Sequence, residues 1–122
     1  MPPAVKNFLA RCIRSVEQLE VLLLLHSQPA RSWTAPEVYD VVRSSPASIS
    51  ERLAEFCAAG LLVKTQDEPA AFRYAKENPH NLAVDETAAA YRTWRVRIIE
   101  TIFAAEVDPL KSFSDAFRIR KE

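Results

Sequence analysis

Gly60 is the only glycine in a chain of 122 residues, and its position constrains the fold more than any other residue. It follows Pro46–Ala59, where Ile49, Leu53, Phe56 and Cys57 recur at the spacing of one helical face. Leu61, Leu62 and Val63 come directly after it. Glycine takes the left-handed conformation that ends many helices, because it has no Cβ to clash. A chain that uses its single glycine here is predicted to turn sharply from a helix into a strand.

The punctuation around that corner organises the rest. Ala4–Arg14 carries Val5, Phe8, Leu9, Cys12 and Ile13 at helical spacing. Ser15-Val16-Glu17-Gln18 reads as a capping box, with the serine accepting a backbone N–H and Gln18 reaching back. It opens a second helix from Val16 to about Ser27, or marks a bend in one longer helix. Val16, Leu19, Leu22, Leu23 and His26 share a face that Leu24 and Leu25 widen, so this helix is predicted to be central. Ser32-Trp33-Thr34 suggests a minor edge strand. Thr34-Ala35-Pro36-Glu37 is a second capping box, opening a helix to about Arg43 that turns Val38, Val41 and Val42 inward. Ser45 then caps the helix that Pro46 begins. Beyond Gly60, Leu61–Gln66 and Ala71–Ala75 read as strands joined at Asp67-Glu68-Pro69-Ala70, with Phe72 and Tyr74 on one face. A long helix is predicted from Asp85 or Thr87 to about Ala105. Asp108-Pro109 opens a last one bearing Leu110, Phe113 and Phe117. The predicted division is an N-terminal amphipathic helix (1–14), a core (15–76), a linker (77–84) and C-terminal helices (85–122).

The stretch Ile49–Val63 resembles the recognition helix, corner and first wing strand of winged helix-turn-helix proteins. The order helix, helix, helix, hairpin over residues 15–76 is similar to that family. The helices beyond it resemble the C-terminal dimerisation helices of many bacterial regulators of this fold. The resemblance implies a mainly α (α+β) architecture: a winged helix-turn-helix three-helix core with a β-hairpin wing, plus N-terminal and C-terminal helices. It also implies a transcription regulator that binds double-stranded DNA as a homodimer, with helix 46–59 in the major groove. Residue by residue, it implies DNA contacts from Arg43, Ser44 and Ser45 before the helix, from Ala47, Ser48, Glu51 and Arg52 on it, and from Lys64 and Arg73 in the wing. Arg52 is placed either to grip guanine or to pair with Glu51 or Glu55. The serines either bind phosphate or serve as a cap and solvated surface.

Charge opposes strong DNA binding. The formal net charge is zero, but residues 15–84 carry six cations against nine anions. The segment that resembles a DNA-binding core is thus the acidic part. Sequence-independent affinity for DNA comes from Lys and Arg neutralising phosphates. Here Glu51 and Glu55 accompany Arg52 on the helix, and the wing tip is Asp67-Glu68-Pro69. The expectation is weak, salt-sensitive binding. A different class of function is also open: an interaction module that contacts another protein through the wing and Tyr91–Phe103 without binding DNA.

In the long helix, Ala88, Tyr91, Arg95, Ile98 and Ile102 recur in a heptad-like stripe with Trp94 at its edge. The expected dimer or partner interface is Tyr91, Trp94, Arg95, Ile98, Ile102, Phe113 and Phe117. An arginine within an apolar seam must pair or reach water. Glu20 and Asp115 are the candidate partners. Alternatively, Arg95 joins Arg92 and Arg97 in a site for an acidic partner or phosphate.

Catalytic and metal chemistry are not expected. His26 and His80 stand far apart, and with Cys12 and Cys57 they do not make a zinc-ligand spacing. One glycine leaves no phosphate-cradling loop and no dinucleotide fingerprint, so no cofactor is expected. The longest strictly aliphatic run, Val21–Leu25, is too short to span a bilayer. Two thiols on apolar faces and no charged leader run suit a cytoplasmic protein.

Overall fold

The computed structural model describes residues 1–107. The last predicted helix, with Leu110, Phe113, Asp115 and Phe117, lies outside the described residues. Six helices and three short strands follow in the order α1 (Pro3–Cys12), α2 (Val16–Ser27), β1 (Trp33–Thr34), α3 (Ala35–Val41), α4 (Pro46–Ala58), β2 (Leu62–Lys64), β3 (Ala71–Tyr74), α5 (Asn81–Thr93) and α6 (Arg95–Val107). β3 lies between β1 and β2, and both pairings are antiparallel. Leu62 stands opposite Tyr74 and Trp33 opposite Phe72, so β1 extends the wing hairpin into a three-stranded sheet.

The caps form where the sequence places them. Ser15 Oγ accepts the N–H of Gln18, although the Gln18 side chain reaches one residue further than a capping box would, to the N–H of Arg14. Thr34 and Glu37 complete a reciprocal box. Glu37 Oε1 accepts the Thr34 N–H at 2.8 Å, and this bond foremost holds the Glu37 carboxyl below the ordinary glutamate range. Ser45 Oγ accepts the N–H of Ser48 and heads α4. At the other end Gly60 has φ +81°. Leu61 N–H donates to Phe56 O and Gly60 N–H to Cys57 O, the paired bonds of a Schellman motif. Leu61 and Phe56 are both buried beside it. The corner predicted from one glycine is therefore built by four residues, Phe56, Cys57, Gly60 and Leu61, through two backbone bonds and burial of the two apolar side chains beside them.

α2 is the centre of the molecule. Its Leu19, Val21, Leu22 and Leu25 are fully buried, and it packs against α4, β3, α5 and α6. From α4, Ile49, Leu53 and Phe56 fill the core, while Cys57 at the edge of that stripe is half-buried. α3 contributes Val38 and Val42. Val41, expected to point inward, is exposed, because the short α3 presents only one narrow side to the core.

The C-terminal region differs from its predicted form in two ways. Residues 77–84 are not a free linker: Asn78 and Val84 are buried and α5 begins at Asn81. The single long helix is two helices divided at Trp94, whose backbone leaves the helical region (φ −123°, ψ 43°). α1 packs chiefly against α5 and also touches α6. No described helix is long and apolar enough to cross a membrane.

Candidate nucleic-acid interface

α4 has two unlike sides. The inner side is locked into the core by Ile49, Leu53 and Phe56. The outer side, Ala47, Ser50, Glu51 and Ala54, faces solvent. An exposed helix behind a tight turn, with a β-ribbon at its far end, is a shape that fits a major groove. The chemistry on that shape is unusual for the task.

Arg52, the residue best placed by sequence to meet a base, is held inside the protein. Its guanidinium lies 3.1 Å from Glu51 Oε2, 3.7 Å from Glu17 Oε1 and, through Nε, 2.9 Å from Glu55 Oε1. Nη2 also donates to Glu55 Oε2. The Nε contact is a charge pairing out of line with the N–H, so it adds attraction without a hydrogen bond. Only 20% of the Arg52 side chain is exposed. Of the two readings open to it, pairing is the one realised, and with a third carboxylate added.

The serines are committed in the same way. Ser45 is the cap of α4. Ser48 Oγ donates to Glu17 Oε1 at 2.6 Å, and Ser44 Oγ donates to Glu17 Oε2. Gln18 Nε2, from the same turn of α2, donates to Glu55. Glu17 is thus the hub that the sequence reading missed. In the chain it looks like an ordinary acidic residue in a first helical turn, where it suits the helix dipole. Its partners lie 27 and 31 positions away, beyond the reach of any local pattern.

The remaining predicted contacts divide cleanly. Arg43 is exposed, 4.9 Å above the Tyr39 ring and 3.9 Å from Asp40. Lys64 is exposed on β2 opposite Phe72, and Arg73 is half-buried on β3 opposite Val63. Asp67, Glu68 and Pro69 are exposed between those strands. The expected cationic contacts that stand clear of the α4 carboxylates therefore lie at the turn and on the wing strands, and the helix between them presents Glu51 and Glu55.

The expected partner face is likewise redistributed. Ile98 and Ile102 are buried in the chain's own core at 0% and 4% exposure, so neither offers surface to a partner. Their shared periodicity is real, but it points into the chain's own core, where α6 packs against α1, α2 and α5. Tyr91 is half-buried and donates to Glu20 Oε2. Its hydroxyl is pushed up first by burial and then by the Glu20 charge. Arg95 is exposed and pairs with the same Glu20 oxygen at 3.4 Å, which is one of the two partners anticipated. Trp94 is exposed at the helix break. Val96 and Phe103, within the Tyr91–Phe103 stretch but not among the expected interface residues, and Leu82 outside it, are exposed apolar residues. Val96 and Phe103 lie seven apart and so share a face of α6. Both cysteines are free, and burial raises each thiol above its ordinary range. Among the described residues no group of histidine, cysteine and carboxylate side chains gathers as metal ligands would.

No protein-family model matches the chain, and no curated protein matches it by sequence. Solved structures do match it in shape. A MarR-family transcriptional regulator from Silicibacter pomeroyi superposes with a TM-score of 0.57 at 12% identity, over 97% of this chain and 76% of that one. MepR, a transcription regulator of the Staphylococcus aureus multidrug efflux pump MepA, gives a TM-score of 0.57 at 11% identity, over 96% of this chain and 83% of its own. BpsR of Bordetella bronchiseptica, whose DNA binding is regulated by 6-hydroxynicotinic acid, gives 0.54 at 16% identity, over 97% and 81%. The chain has the winged helix-turn-helix fold of these regulator structures.

Proposed function

We propose that this chain is a DNA-binding transcription regulator that works in the cytoplasm as a homodimer, and that it is not an enzyme. The observation that carries the reading is the open outer side of α4 beside the turn and the wing, on a fold shared with MarR-family regulators. Arg43, Lys64 and Arg73 supply the phosphate contacts, and Ala47, Ser50 and Glu51 lie nearest the base edges. Because Arg52 is enclosed by carboxylates, affinity is weak, and the part that the remaining cations supply falls as salt rises. The exposed Trp94, Val96 and Phe103 supply apolar surface for a second copy.

The test is fluorescence anisotropy on duplexes selected from genomic fragments, across a salt series, with mass by light scattering. The expected result is a dimer that binds more weakly as salt rises. Arg43→Ala, Lys64→Ala and Arg73→Ala should each flatten the log–log salt slope of the dimer by about 2, which is about 1 for each protomer. Absence of binding even at low salt would sink the reading and leave the winged-helix adaptor in its place.

A further inference from the structure

The donors that a winged helix would turn toward DNA are already bonded to one residue of the neighbouring helix. A serine hydroxyl has one proton to give. Ser44 and Ser48 both give theirs to Glu17, one to each carboxylate oxygen. The Arg52 guanidinium lies on the same carboxylate at 3.7 Å, with Glu51 and Glu55 closing its other sides. Glu17 itself is only 17% exposed in its side chain, so it sits beneath these donors rather than out in solvent. Two hydroxyls and a guanidinium are also the groups by which proteins hold phosphate oxygens. A carboxylate on α2 therefore uses the bonds that the DNA backbone would use.

We propose that Glu17 is an internal competitor for DNA: it holds Ser44, Ser48 and Arg52 in the free protein and so sets the affinity of the α4 face. The proposal rests on the DNA-binding reading above and concerns the control of that same face. Binding requires these donors to exchange a carboxylate for a phosphate, so most of their attraction to DNA is cancelled by the bonds they leave. Glu51 and Glu55 are exposed and travel with Arg52 on its own helix. Glu17 alone ties the arginine and both serines across to α2, which makes it the control point.

The test uses the full chain and a labelled mixed-sequence duplex long enough for two half-sites one helical turn apart. Wild type, Glu17→Gln and Glu17→Ala are titrated across a salt series, and each is repeated in an Arg52→Ala background. Thermal melting confirms that every variant is folded, and the alanine variant serves if the glutamine variant is not. The expected result is tighter binding for either Glu17 variant, about tenfold at low salt, with a salt slope of the dimer steeper by about 2 as Arg52 of each protomer gains a phosphate. The Arg52→Ala background should abolish the steeper slope and most of the gain. A gain that survives Arg52→Ala undiminished would be a general charge effect and would overturn the proposal. So would unchanged or weaker binding in a folded Glu17 variant when wild type binds, and in both cases the DNA-binding reading would stand. If neither wild type nor the Glu17 variants bind at low salt, the reading and the proposal fail together.

Discussion

Two polar networks join distant parts of this chain, and they are made of different materials. At the head of α4 the network is charged and lies near solvent: Glu17, Glu51 and Glu55 around Arg52, with Ser44, Ser48 and Gln18 attached. Under the wing it is largely neutral and buried. Tyr74 OH donates to Asn81 Oδ1 at 2.7 Å and accepts from Asn78 Nδ2 at 3.0 Å, and Asn78 Oδ1 accepts the His80 N–H at 2.7 Å. His26, edge-on to Tyr74, extends it to Asp85 at 2.6 Å. Burial pushes the Tyr74 hydroxyl up, which keeps it a donor. Buried neutral bonds cannot be exchanged for water without loss, so they fix geometry. Charges at the solvent boundary, as Glu51 and Glu55 are here, are screened and contribute less stability, and their bonds exchange for water more readily.

The contrast predicts an order of effects on stability. Asn78→Ala should be the most damaging change, because it takes the acceptor from the His80 N–H and removes one of two bonds at the Tyr74 hydroxyl and at the Ala75 carbonyl, all at a buried site. A loss of about 1–3 kcal/mol is expected from chemical denaturation. Unchanged stability there would erase the distinction between the two networks. Ser45→Ala should cost about 1 kcal/mol, since it removes the cap of α4. The adjacent Ser44→Ala removes only an exposed bond to Glu17 and should change stability by less than about 0.5 kcal/mol. Equal losses for the two serines would mean that the charged network is a stabilising one after all.

The smallest effect concerns pH. The folded-state carboxyl of Glu37 is held below its ordinary range by the Thr34 backbone bond, so the ionised form favours folding. That contribution is present above the ordinary glutamate range and disappears as pH falls through the lowered folded value. Glu37→Gln should melt slightly below wild type near neutrality and approach it in acid. A gap that stayed constant across that range would show that the box holds by hydrogen bonding without charge.

Elements governed by neighbours in sequence were legible before the structure. The Thr34–Glu37 box, the Ser45 cap and the Gly60 corner are each decided within a few residues, because capping bonds span one helical turn. Elements decided across the fold were not. The break at Trp94 carries no proline or glycine to announce it, and the residues around it read as one periodic run. Periodicity placed Ile98 and Ile102 on one face but not against which surface, and they fill the chain's own core. Glu17 and Arg52 were visible as charges. Their enclosure depends on how α2 crosses α4, a matter of packing that no local pattern encodes.

At residue 60 the demand on the chain is torsional, not spatial. A Cβ built there would meet no described atom within 4 Å, so the pocket is open while the positive φ excludes ordinary L side chains. Handedness is the barrier to an L side chain, and a D-amino acid, whose preferred torsions mirror those of its L counterpart, would adopt this φ without that strain. Chemical synthesis or semisynthesis could therefore ask of the corner between α4 and β2 a question that ordinary mutagenesis cannot: whether torsion alone reserves the position for glycine.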